Sequence, residues 1–106
     1  MTSIRKSRIS GRRQFEWDDG KAATNFAKHG VEFEFATNVF LDETRADFDV
    51  SRAADGEVRR KAVGMIDGEL FTVVYTERRG VVRIISARRS NAKEDRAYAS
   101  VYPRSE

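Results

Sequence analysis

The sequence predicts an α+β domain: a mostly antiparallel sheet with flanking helices, in the order β-α-α-β-β-β-β-α. Three observations predict it. Two segments near the N-terminus, residues 19–29 and 33–41, place apolar residues at helical spacing. From Arg45 to Arg88 the pattern changes to strand-like runs broken by two-residue turn signals. A capped segment after Arg89 then reads as a last helix, stopped by Pro103.

Residues 1–13 carry Ser, Arg, Lys and Gly without a period, so a disordered basic arm is expected there. Residues 14–102 form the single domain, and residues 103–106 are a tail. Phe15-Glu16-Trp17 reads as a short first strand. Asp18 or Asp19 caps a helix that runs to about His29, with Ala22, Ala23, Phe26 and Ala27 as a narrow apolar stripe and Gly30 as the C′ residue. Phe33, Ala36, Val39 and Phe40 mark a second short helix, ended by Asp42 and Glu43.

Arg45 to Val50 alternates Ala46, Phe48 and Val50, and Ser51–Gly56 is a polar loop. Val58–Ile66 and Leu70–Thr76 flank Asp67-Gly68, a strong hairpin signal. Arg79-Gly80 turns the chain into Val81–Arg88. The neighbours Ile84 and Ile85 predict burial on both faces of that strand. Arg83 and Arg88 differ in strand parity, which predicts that they face opposite sides of the sheet. The last helix covers Ala92 to about Tyr102, and Asn91-Ala92-Lys93-Glu94 approximates a capping box.

Composition bounds the function. The chain has 106 residues, 40% hydrophobic and 35% charged, enough for one modest core under a charged surface. It lacks cysteine and has one histidine, which excludes disulfides, thiolate chemistry and multi-histidine metal clusters. The N-terminus has no apolar signal centre and no run is long enough to span a bilayer, so a cytosolic protein is expected. The net charge of +3 is unevenly spread: residues 15–58 hold eleven acids against four bases, while residues 1–14 and 59–106 are each basic. Such asymmetry fits a polyanion, a basic partner, or both, and also fits a mixed, well-solvated surface.

No phosphate-binding loop, dinucleotide glycine pattern, serine elbow or metal-ligand spacing occurs. The remaining chemistry is cationic, with Tyr75, Tyr98 and Tyr102 as aromatic supplements. Metal-free RNA cleavage needs a proton acceptor for the ribose 2′-hydroxyl, cations for the phosphorane and a donor for the leaving oxygen. Splayed bases add a need for aromatic or guanidinium planes. In Lys28-His29-Gly30, His29 suits acid–base work near neutrality and Lys28 a phosphate; both residues equally suit a helix C-terminus. Arg88 at the start of the last helix is a phosphate candidate, whereas Arg83 fits either RNA or an ion pair. Glu77 is a candidate base, an arginine orienter or an edge-strand charge. Tyr98 is a candidate RNA contact or a packed residue with a wet hydroxyl.

Phe15-Glu16-Trp17-Asp18, followed by Lys21, Asn25, Lys28-His29-Gly30-Val31 and Phe33, resembles the opening of the BrnT toxin family. Phe40-Leu41-Asp42, Val74-Tyr75-Thr76-Glu77-Arg78, Arg83-Ile84-Ile85-Ser86-Ala87-Arg88, Glu94 and Tyr98 continue the likeness over roughly residues 14–102. The resemblance implies a RelE-like fold and the toxin half of a type II toxin–antitoxin pair, a ribonuclease-type inhibitor of translation. It implies a BrnA-like antitoxin of ribbon-helix-helix type that binds DNA and masks the toxin, in a complex that represses its own operon, so that DNA is met only through the complex.

The resulting expectation is a metal-independent endoribonuclease without cofactor or membrane partner. Arg88 and Lys28 would meet phosphate charge and His29 or Glu77 would move protons. Lys21, Arg78, Arg83, Lys93 and Tyr98 would bind RNA. A non-catalytic, antitoxin-binding co-repressor, or another nucleic-acid-binding domain using the basic arm, are the alternatives.

Overall fold

The computed structural model describes the backbone of residues 5–10 and 13–101 and the side chains of residues 13–100. Expectations for Tyr102, Pro103 and the 103–106 tail, and for residues 1–4, 11 and 12, lie outside the described residues.

Six strands form one sheet: β1 (Arg5–Ser10), β2 (Arg13–Asp18), β3 (Ala46–Asp49), β4 (Arg60–Ile66), β5 (Glu69–Arg78) and β6 (Val81–Arg89). Their spatial order is β1-β2-β6-β5-β4-β3. Every neighbouring pair is antiparallel except β2 with β6. Helices α1 (Asp19–His29), α2 (Phe33–Ala36) and α3 (Ala92–Val101) complete the domain. From Arg13 onward the order is the one the sequence predicts. The arm departs from expectation: residues 5–10 pair with all of β2 from Arg5↔Asp18 to Ser10↔Arg13. A polar segment with no apolar period gives no sign of a strand, because backbone pairing alone makes it one.

Local chemistry sets the element ends. The Asp18 side chain accepts from the Lys21 N–H at 3.0 Å and starts α1, and Gly30, left-handed at φ 71°, ends it. After α2 the chain tightens into a 3-10 turn over Thr37–Leu41 rather than continuing as an α-helix. Thr37 Oγ1 donates to Glu34 O at 2.7 Å and Asn38 Nδ2 to Phe35 O at 3.0 Å, and such local bonds compete with regular helix geometry. Asp67 (φ 51°) and Gly68 (φ 83°) form the left-handed turn between β4 and β5.

The main core lies between one sheet face and the α1–α2–3-10 layer. Phe15, Phe33, Val39, Val73, Val82 and Ile84 are its most enclosed residues. The layers approach closely at Gly64, where a Cβ would sit 2.8 Å from Val39 O. On the opposite face α3 covers a smaller, separate cluster of Ala46, Val63 and Tyr98, flanked by Phe48 and Leu70.

Candidate nucleic-acid interface

Strand β6 does not keep a single alternation. Tyr75 pairs with Ile84, but Val74 pairs with Ser86, so Ile85 is an unpaired bulge residue. Val82, Ile84 and Ala87 therefore all face the main core. This corrects two expectations. Ile84 and Ile85 are not a pair buried on both faces: Ile84 is 1% exposed, while Ile85 is only partly buried. Nor do Arg83 and Arg88 face opposite sides. Their partners on β5, Thr76 and Thr72, lie four residues apart on one face, and the bulge turns both arginines to that face.

Beyond its pairing with β2, β6 meets α1. Asn25 Nδ2 donates to Ala87 O at 2.8 Å and to Val31 O at 3.0 Å, and Asn25 Oδ1 accepts from the Ala87 N–H at 3.0 Å. This bond pair lays α1 along the edge of β6. A groove of about 520 Å³ runs between them, lined by Asp18, Lys21, Lys28, His29, Ile85 and Ser86 among others. Ser86 lies between Arg83 and Arg88 and shares their face, because its partner Val74 lies between Thr72 and Thr76 on β5. Lys21, Lys28 and His29, all exposed, line this groove, whereas Arg83 and Arg88 do not; Ser86 is the residue that joins the groove to the face of the two arginines.

Arg88 is held tightly. Its Nη1 and Nη2 donate to Glu94 Oε1 and Oε2 at 2.8 and 2.7 Å. Lys61 Nζ reaches Glu94 Oε2 at 3.0 Å and Thr72 Oγ1 donates to Glu94 Oε1 at 3.0 Å. The capping box is present in both directions, Glu94 N–H to Asn91 Oδ1 and Asn91 N–H to Glu94 Oε1, each at 2.9 Å. Burial works to raise the Glu94 carboxyl. The bonds from Arg88, Asn91, Lys61 and Thr72 outweigh it and hold the group at about 2. The Glu94 bond in turn raises the Arg88 guanidinium. The anion at the start of α3 is therefore the protein's own carboxylate, and Arg88 with Lys61 leaves one positive charge in excess.

The other candidates are spread more widely. Arg83 Nη1 donates to Glu16 on β2 at 3.4 Å, the ion pair that its sequence context also fits. Arg78 shares the face and donates to Glu57 at 2.7 Å. Lys93 is exposed in the first turn of α3. Tyr98 is 7% exposed and its hydroxyl donates to Asp42 Oδ2 at 2.7 Å, with Thr44 Oγ1 at 2.9 Å. It ties α3 to the segment after the 3-10 turn. Burial tends to raise the Asp42 carboxyl, but bonds from Tyr98, Thr44 and Met65 bring it below its ordinary value. Glu77 is exposed and pairs with Val82, so its side chain leaves the sheet on the face opposite Arg83 and Arg88. Tyr75 is buried and donates to Asp47.

Sequence reasoning missed Lys61, and it placed Glu94 only as a cap. The cap signal was local, but the 33-residue separation of Lys61 from Glu94 left nothing in the linear pattern to join them. Among the described residues no group of three or more His, Asp or Glu side chains is placed to hold a metal ion.

A protein-family model described as "Ribonuclease toxin, BrnT, of type II toxin-antitoxin system" matches residues 17–94. The chain belongs to the BrnT toxin family. The matched span starts in β2 and ends at Glu94, so it takes in α1, the bulged β6 and the carboxylate that holds Arg88. No curated protein matches the chain. As a ribonuclease toxin of a type II system, a BrnT chain has RNA as its target and an antitoxin as its partner. Among the described residues no helix is long and apolar enough to cross a membrane.

Proposed function

We propose that this BrnT chain is a metal-independent endoribonuclease that stops translation, with RNA lying along the bulged β6 and the groove beside α1. The observation that carries this reading is the common face of Arg83 and Arg88, which Ser86 joins to the groove lined by Lys21, Lys28 and His29. Arg88, with Lys61, and Lys28 meet the phosphate charge that grows as the 2′-hydroxyl oxygen attacks phosphorus. His29 accepts the hydroxyl proton or returns one to the departing 5′-oxygen. The reaction needs no external electron or group donor: one P–O bond forms and one breaks. Arg83, Arg78, Lys21 and Lys93 supply backbone contacts, while Tyr98 acts by fixing α3. The orientation of Glu77 leaves proton transfer to His29. The antitoxin is a ribbon-helix-helix protein, and DNA is bound only by the toxin–antitoxin complex.

The test is cleavage of a mixed-sequence RNA by the purified chain in EDTA. Wild type cuts; Lys28→Ala and Arg88→Ala each lose about 10²–10³-fold in rate, with far-UV spectra retained. Because Arg88 is partly structural, the exposed Lys28 variant guards against misreading a folding defect. Cleavage abolished by EDTA, or unchanged in both variants, overturns the proposal.

A further inference from the structure

Helix α1 carries an apolar stripe that its own core uses only in part. Asn25 takes the central position against β6, and Ala22 packs at the edge of the core. Phe26 is left 50% exposed, and Phe35 on α2 is 37% exposed. Two grooves meet at Phe26. One, about 680 Å³, has Trp17, Ala23 and Phe33 among its apolar lining, and its charged residues are Asp19, Glu32 and Glu34. Among the described residues no base lines it. The other, about 430 Å³, continues past Glu32 and Phe35 to His29 and Arg89, so its charge is mixed.

In the first groove the apolar floor and the acids Asp19 and Glu32 select against RNA, whose phosphates they repel, and select for a polypeptide that presents an apolar side chain beside a lysine or arginine. Phe35 packs edge-on against Phe71, 5.2 Å between ring centroids, so Phe26, where the two grooves meet, is the uncovered apolar anchor of this face. We infer that this α1–α2 face is where the antitoxin docks, through an amphipathic basic segment whose apolar side chain packs on Phe26. The position explains masking, because the two surfaces meet at His29. His29 lines both this groove and the one beside β6, so a segment seated on Phe26 and Glu32 closes the end of the RNA groove. That last step rests on the nuclease reading above; the docking surface itself rests on the patch and its charge.

The experiment titrates the full chain with the protein encoded by the adjoining reading frame, by calorimetry, and follows RNA cleavage in parallel. Phe26→Asp should weaken binding at least about 30-fold, the scale of a buried aromatic anchor, and Glu32→Lys should weaken it and reduce its salt sensitivity. Both variants should keep the wild-type far-UV spectrum and any RNA cleavage. Binding unchanged in both variants, or no binding by wild type, overturns the inference. A wild-type chain that sediments alone as a dimer, and as a monomer when Phe26→Asp is introduced, also overturns it, because a second copy then fills the groove. If wild type cuts no RNA but the variants still lose the antitoxin, the nuclease reading falls and this surface stands.

Discussion

Glu94→Gln exposes what holds the cationic face together. The Glu94 carboxylate is 2% exposed and receives five hydrogen bonds, two from Arg88 and one each from Lys61, Thr72 and the Asn91 N–H. Glutamine keeps the shape but sets an NH2 group against two cations. The carboxyl falls from an ordinary 4.5 to about 2 in the folded chain, which corresponds to roughly 3 kcal/mol of stabilisation at neutral pH. Arg88 and Lys61 side chains are 32% and 25% exposed, so water recovers part of the loss when the charge is removed, leaving about 2–3 kcal/mol.

For a domain of this size that lowers Tm by about 10–20 °C. The sign with pH is fixed by the depressed value: the stabilisation is complete above the unfolded 4.5 and is lost as pH falls toward 2. Thermal melts of wild type and Glu94→Gln by circular dichroism should therefore differ widely at pH 7 and differ less than half as much near pH 3. A Tm difference under about 2 °C at neutral pH, or a gap as wide near pH 3 as at pH 7, refutes the reasoning.

Two further substitutions probe how the sheet is assembled. Asn25→Ala strips both bonds from buried Ala87 and one from Val31 O, and should cost about 2–4 kcal/mol by urea unfolding with the m-value unchanged; a loss under about 0.5 kcal/mol would mean that water replaces the amide. Gly64→Ala forces a methyl against Val39 O and Val39 Cγ1, at 2.8 and 2.9 Å, and should destabilise by about 1–3 kcal/mol; a variant as stable as wild type would show that the 3-10 turn yields.

Features set by near neighbours in the chain were legible from the sequence. The Asp18 cap, the Gly30 stop, the Asp67-Gly68 turn and the Asn91–Glu94 box each need only a few adjacent residues. The bulge at Ile85 was not legible, because it exists only as a mismatch between β5 and β6. Strict alternation read along β6 therefore put Arg83 and Arg88 on opposite sides. Lys61 and Tyr98 illustrate the same limit: the first meets Glu94 33 residues away and the second meets Asp42 56 residues away. β1 had no apolar pattern to betray it, and Phe26 sat in a stripe that looked like core material.

The Asn25 carboxamide also guards part of a sheet edge. Strand β6 has β2 beside it only at Val81–Arg83. Past that point its backbone would offer a donor and an acceptor to any extended chain, the usual opening for strand addition and for aggregation. A carboxamide carries both groups in nearly the arrangement of a peptide unit, so Asn25 behaves as a strand one residue long. The gap is thereby closed from within. A foreign polypeptide that extends the sheet at Ala87 has first to displace the Asn25 carboxamide.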